Sequence, residues 1–193
     1  MANISIAVDR TMREVFEYPD PTVPFIVWHG NLNAMQNQVI ECHWHNEFEY
    51  CVLISGELDY FIDGQLIRMH SGDAVFINSN TLHMAKPVGE CEDSQVFTVS
   101  FLPSLLTNDN NGTLFKKYFL PILQSPCRGF YIGNHRDECT ILSLLQEIYI
   151  AEQSPSDNYE LLYISIVSRL WNETLCYVQN HPEIILSLLL YSE

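Results

Sequence analysis

The chain has 193 residues, 47% of them apolar, and 9 Lys and Arg face 24 Asp and Glu for a formal charge of −15. That length supports one domain with its own core, or a compact domain with a helical appendage, and the composition excludes a low-complexity chain. The charge excludes a nucleic-acid grip, because affinity for phosphate comes from Lys and Arg; none follows Arg169, and an anionic membrane surface is excluded on the same ground.

The start, "MANISIAVDR", lacks the basic head and apolar centre of a secretory signal. "PFIVWHG" is a short apolar strand bounded by Pro24 and Gly30. "QVIECHWHNEFEYCVLISG" reads as one long, partly alternating strand. "ELDYFI" and "QLIRMH" flank Asp63-Gly64, the strongest short-range hairpin signal. "AVFINS" and "SQVFTVSF" follow, after a turn at Ser71-Gly72-Asp73 and an acidic loop at 89–93. Closely spaced strands with glycine turns predict an antiparallel sandwich or small barrel.

The period then changes. "GTLFKKYFLPILQ" predicts a helix that Pro121 kinks or ends. "DECTILSLLQEIYIAEQ" is amphipathic, with Ile141, Leu145 and Ile148 on one side. Asp157 and Glu160 predict an acidic capping pair before "NYELLYISIVSRLWNETLCYVQN", whose wide apolar face carries Tyr159, Leu162, Tyr163, Ile166, Leu170 and Trp171. Its breadth suggests a helix burying two faces, and the short loop predicts antiparallel packing on the preceding helix. His181-Pro182 predicts the helix end. The tail "IILSLLLY" is far shorter than the ~20 residues of a membrane span. Six cysteines without a CxxC pair predict a reducing, cytoplasmic setting.

Chemistry concentrates in "HWHNEFEYCVLISG". On a strand, side chains alternate between faces, so His43, His45, Glu47, Glu49 and Cys51 share one face and Trp44, Phe48, Tyr50 and Val52 the other. The second set predicts outward packing, Trp44 and Phe48 included. A polar inner face is costly unless paired, and so predicts a site. Two imidazoles and a carboxylate suit Zn, Ni, Mn or Fe, with His83 as a fourth ligand from the segment after "AVFINSNTL". Trp28, His29, Tyr60 and Phe76 are aromatic candidates for core or for ligand stacking. His29, His70, His135 and His181 stand isolated.

These segments resemble the two cupin motifs. Glu49 and Gly56 fall at the first motif's positions after His43 and His45, and Gly72 and His83 fall at those of the second. The second motif departs from the pattern: Asn78 replaces its proline, Asn80 its glycine, and Pro87 its later asparagine. The resemblance implies four metal ligands, His43, His45, Glu49 and His83, around one divalent ion (Zn, Ni, Mn or Fe).

A narrower resemblance spans about Pro24 to Asn180. "HxH…E…G", the Asp63-Gly64 hairpin, "SGDAVFINSNTLH", "FTVSFLPSLL" and the closing helices are similar to the N-terminal sensor domain of AraC-type transcription regulators. It implies a mainly β, cupin-type double-stranded β-helix (jelly-roll) barrel over about residues 1–107. An antiparallel helix pair over 108–193 completes the same domain. It further implies a small-molecule effector, a sugar or other metabolite, held by His43, His45, Glu49, His83, Glu47, Tyr60 and Trp28. A homodimer through the C-terminal helices is expected, and no catalytic residues. DNA contact would come only through a helix-turn-helix domain that this sequence lacks. The alternative is a metal-dependent cupin enzyme, a dioxygenase or isomerase, with Glu47 or Tyr60 as its second catalytic group.

Overall fold

A computed structural model describes residues 6–89, 94–107, 111–134, 140–154 and 157–182. The apolar tail from residue 183, Cys91, Cys139, His135 and Pro155 lie outside the described residues. The chain divides into two compact units: Met1–Leu102 with Arg128–Asn134, and Pro103–Cys127 with His135–Glu193.

The first unit holds two antiparallel sheets. Its strands are β1 (Phe25–Asn31), β2 (Ile40–His43), β3 (Phe48–Ser55), β4 (Glu57–Ile62), β5 (Gln65–His70), β6 (Ala74–Ile77), β7 (His83–Pro87), β8 (Gln95–Phe101) and β9 (Gly129–Ile132). One sheet runs β1-β8-β3-β6-β9 and the other β2-β7-β4-β5. Between them lies an apolar core that includes Cys51, Leu53, Leu58, Tyr60, Met69, Val75 and Ile77. The β4–β5 hairpin turns at Asp63 (φ 49°) and Gly64 (φ 80°), the two left-handed positions that this tight turn demands.

The long strand expected over 38–56 is two strands in different sheets. β2 ends at His43, β3 begins at Phe48, and the chain turns a corner between them. Residue alternation therefore does not run unbroken from His43 to Cys51. The opposite face of β3 is not outward-facing in the sense expected. Phe48 and Tyr50 are fully buried and cluster with Phe76, Phe101 and Phe130. Phe76 thus belongs to this aromatic layer and not to a ligand cavity. β7 and β9 are strands that the sequence reading did not find, and β9 returns residues 128–134 to the sheet beside β6.

The motif's departures have local reasons. Asn80, in the glycine's place, has φ 58°, a left-handed conformation that asparagine tolerates better than most residues. Asn78, in the proline's place, donates its backbone N–H to the Arg128 carbonyl at 2.9 Å, a bond proline has no hydrogen to make.

The second unit is helical: α1 (Thr113–Tyr118), α2 (Leu120–Leu123), α3 (Thr140–Glu152) and α4 (Tyr159–Asn180). The predicted helix over 112–124 breaks at Phe119, with Pro121 in the first turn of α2. α3 and α4 pack together. Within the chain, α4 buries a stripe of Tyr163, Ile166, Val167, Leu170, Trp171, Thr174 and Val178, and Leu161 is exposed. The expected Asp157 cap is not formed either: Asn158 is the N-cap and makes no side-chain capping bond. α4 does end at His181-Pro182, with His181 as C-cap. Among the described residues, no helix is long and apolar enough to cross a membrane.

Candidate metal and ligand site

Pairing of β2 with β7 sets His43 opposite His83, with ring centroids 4.1 Å apart. His45 sits in the corner after β2, 5.7 Å from His43 and 5.0 Å from His83, ring to ring. The corner is fixed by the Asn80 N–H, which donates to the His45 carbonyl at 2.7 Å. Ligand atoms of the three histidines lie within 4.8 Å of one another. Glu49 approaches from the other sheet, on β3 opposite Ser100. All four side chains are buried, with His45 and His83 only 1% exposed. The four residues that the motifs single out therefore converge, although from two sheets and a corner.

Proton positions follow from the backbone. His43 Nδ1 lies 2.7 Å from the Glu41 carbonyl, and His83 Nδ1 lies 2.9 Å from that of Thr81. A carbonyl only accepts, so each Nδ1 carries the proton and the neutral ring presents an Nε2 lone pair to the site. Burial, reinforced by His43 nearby, pushes the His83 pKa down to about 3, and burial likewise lowers that of His43. His83 Nε2 is buried without a hydrogen-bond partner among the described residues. Its nearest carboxylate oxygen, Glu49 Oε1, is 3.9 Å away. An unpaired buried acceptor is costly, and here it is aimed at two other imidazoles and a carboxylate.

Glu49 is well supplied. Its Oε2 lies 3.2 Å from His45 Nε2 and accepts from Ser100 Oγ at 3.1 Å, and its Oε1 faces the Tyr60 hydroxyl at 3.4 Å. Burial opposes its charge, but the His45 bond and the three neighbouring imidazoles outweigh burial and hold its pKa at about 2. For His45, burial works against the charge, while Glu49, Glu47 and Glu14 raise its pKa. Tyr60 is fully buried behind the site, its ring parallel to His83 within 8°. Glu47 faces the other nitrogen of His45 at 3.6 Å and accepts a hydrogen bond from Tyr18.

Beside His43 and Glu49 lies a cavity of about 180 Å³, whose lining does not include His45, His83, Glu47 or Tyr60. Trp28, Ile26, Ile40 and Phe16 give it apolar walls; Glu14, His43, Glu49 and Thr98 give it polar ones. Trp28 is thus a wall residue, whereas His29, its neighbour on β1, is exposed. The Trp28 indole covers Gly30: a Cβ there would stand 2.1 Å from a ring carbon.

The residues that sequence reasoning missed lie on the N-terminal segment. Val8 bridges Glu14 in a small hairpin whose turn Asp9 ties to Thr11 and Arg13. The Glu14 N–H donates to the Trp44 carbonyl at 2.9 Å, and the Trp44 N–H to that of Met12 at 3.0 Å. Trp44 is itself half-buried under this segment, its indole N–H donating to the Thr11 carbonyl. Alternation then points Glu14 at His43 (Oε2 to Nε2, 3.3 Å), Phe16 at His45 (centroids 5.0 Å) and Tyr18 at Glu47. Burial, then repulsion from Glu49, raises the Glu14 pKa to about 7. Nothing in residues 6–18 marks them: the segment mixes charged and apolar residues and matches neither cupin motif.

Comparison with known proteins agrees with this architecture. Residues 32–96 match the family described as "Cupin domain". Over 169 residues, 86% of this chain, the sequence is 25% identical to the uncharacterized HTH-type transcriptional regulator YdeC of Bacillus subtilis (strain 168). The match covers 57% of that protein, so the chain spans little more than half the length of this relative. Among solved structures it is similar to a predicted oxalate decarboxylase from Thermotoga maritima, with 26% identity, 33% of this chain and 56% of the other covered, and a TM-score of 0.31. An RmlC-like cupin with a double-stranded β-helix fold from Methanocaldococcus jannaschii gives 17%, 42%, 72% and 0.37 for the same quantities. The fold of this chain is a cupin-type jelly roll followed by a C-terminal pair of helices, α3 and α4.

Proposed function

We propose that this chain is the ligand-sensing and dimerisation part of an AraC-type transcription regulator, acting in the cytoplasm, whose barrel takes up a small metabolite. The observation that carries this is the cavity beside His43 and Glu49, which joins apolar walls to a few convergent polar groups, the usual composition of a small-molecule site. Similarity to an HTH-type regulator over 86% of the chain supports it. The charge of −15 agrees with DNA contacts made by some other segment. A metabolite switches such a protein only by binding one arrangement more tightly than the other. His43, Glu49 and Thr98 would orient polar atoms, and Trp28 would cover an apolar face.

The test is thermal unfolding of the purified chain against a panel of sugars and other small metabolites, with Trp28→Ala in parallel. At least one compound is expected to raise the wild-type midpoint and to lose most of that effect in the variant. A panel in which every stabilising compound acts equally on both proteins would overturn the cavity as the sensing site.

A second reading concerns a metal, and the orphaned Nε2 of His83 favours it. His43, His45, His83 and Glu49 fit Zn, Ni, Mn or Fe(II): three imidazoles, of which His43 and His83 have anchored Nδ1–H groups, and one ionised carboxylate. The ion, when bound, would supply a Lewis acid. Around it Glu41 and Thr81 hold the imidazole tautomers, and Ser100 and Tyr60 hold the Glu49 carboxylate. Elemental analysis of wild type, His43→Ala and His83→Ala decides this reading. Stoichiometric metal lost in both variants is expected; metal retained in both would sink it. Substrate turnover by the loaded protein would then move the assignment to a dioxygenase or isomerase.

A further inference from the structure

We propose that Glu14 is a further ligand in the cation site, so that a divalent transition metal bound by His43, His45, His83 and Glu49 pins the N-terminal segment onto the barrel. This rests on the metal reading above. Glu14 lies outside both sequence motifs, and only the fold of residues 6–18 brings it here.

Geometry carries the assignment. The Nδ1 of His43 is committed to the Glu41 carbonyl, so its Nε2 lone pair is the free donor, and Glu14 Oε2 stands 3.3 Å in front of it. Charge-assisted hydrogen bonds between nitrogen and oxygen run about 2.7–2.9 Å. Two donors that each lie about 2.1 Å from one ion stand about 3.0 Å apart at a right angle and about 3.4 Å apart at the tetrahedral angle. The Glu14–His43 separation and the 3.2 Å between His45 Nε2 and Glu49 Oε2 both fall in that second range. His83 supplies the independent sign that something is to be bound: its Nε2 is fully buried, aimed into the same cluster and unpartnered among the described residues.

The backbone makes the placement specific. Glu14 is tied to the HxH corner by its N–H bond to Trp44, and Phe16 and Tyr18 follow on the same side of the segment. Val15 and Glu17, between them, are exposed. An ion held by Glu14 would therefore lock the whole stretch that carries Arg10 and Arg13, two tryptic sites.

The experiment uses the chelator-stripped chain and cobalt(II) as probe. Affinity is read by competition with a chromophoric chelator, and cleavage after Arg10 and Arg13 by mass spectrometry, with and without saturating cobalt. Wild type and Glu17→Gln should bind one cobalt and become resistant to trypsin at both sites. Glu14→Gln should bind cobalt at least about 10–100-fold more weakly, the loss that removing a mere supporting group already causes, and stay as cleavable when saturated as when stripped. Wild-type protection of saturated Glu14→Gln overturns the proposal, whatever its affinity. Should Glu14→Gln be degraded throughout, Glu14→Asp, with a shortened carboxylate, gives the same comparison. If wild type binds no cobalt, the metal reading itself falls, and the metabolite-sensing reading is left standing.

Discussion

His83 shows how much a single residue is asked to bear. Its ring is fully buried, its Nδ1 is satisfied by Thr81, and its Nε2 has no hydrogen-bond partner among the described residues. Burial, helped by His43, holds its pKa at about 3 in the fold against 6.5 in the open chain. The sign follows directly. Above pH 6.5 both states carry a neutral ring and nothing is lost. Below it the unfolded chain takes up a proton that the folded chain refuses, so stability falls with pH, by up to about 1.4 kcal/mol per pH step until the folded pKa is reached. Glu49 adds to the loss at lower pH, between 4.5 and about 2, because its folded carboxylate is the favoured form. His45 runs the other way, since its raised pKa contributes stability that is present in acid and lost as pH rises. Urea denaturation of metal-free wild type and His83→Gln from pH 6.5 downward separates these effects. Wild type is expected to lose stability faster than the variant, which has no ring to protonate. Parallel curves would show that His83 is not held neutral by the fold.

At the scale of elements, β1 makes the cavity wall by a contact that only glycine permits. The Trp28 indole lies where a Cβ on Gly30 would be, at 2.1 Å. Gly30→Ala must push the indole aside, a forced overpacking that costs about 1–3 kcal/mol. In a Trp28→Ala background the three atoms nearest the new methyl are gone and most of that cost should vanish. A denaturation cycle over the four proteins measures the coupling, and additive penalties would show that the two residues do not compete for one place. The Asp63-Gly64 hairpin was legible in the sequence because its signal is local: two left-handed positions between two alternating runs. So were the helical faces of α3 and α4, because period shows in the residues themselves. The corner between β2 and β3 was not. His45-Asn46-Glu47 breaks the alternation between His43 and Phe48, but one polar residue out of step does not by itself tell a straight strand from one that changes sheets. β7, HMAKP, carries a lysine and a proline where a strand signal needs β-branched or aromatic residues, and β9 is a lone four-residue strand among helical segments. Asp157 looked like a cap on type and spacing, yet the backbone placed Asn158 there, where no side-chain bond forms.

For the whole molecule, the same division between local and distant information decides what a sequence reveals. His43, His45, Glu49 and His83 were found because the motifs fix their spacing, but Glu14, Phe16 and Tyr18 reach the site only through the path of the first 18 residues. The C-terminal helices pose the matching question at the surface. α4 buries one stripe, and α3 buries Ile141, Leu144, Leu145 and Ile148, while Leu161 and Ile150 remain 70% and 61% exposed. The Arg169 guanidinium meets both oxygens of Glu147 at 2.8 Å and ties the two helices together without covering those side chains. A homodimer through these helices, as the proposed function requires, would bury them. Closed dimers are twofold symmetric, so each side chain counts twice. Burying one leucine contributes about 1.5–3 kcal/mol. Replacing Leu161 with Glu in both protomers should then cost about 3–6 kcal/mol and weaken dimerisation by roughly two to four powers of ten. Sedimentation equilibrium over a concentration series measures this. Wild type is expected to be dimeric and Leu161→Glu monomeric at the same concentration, with Leu66→Glu, an exposed residue of β5 in the other unit, remaining dimeric. If Leu66→Glu dissociates the protein and Leu161→Glu does not, the interface lies on the barrel, and a ligand in the cavity would act on the partner through the sheets instead of the helices.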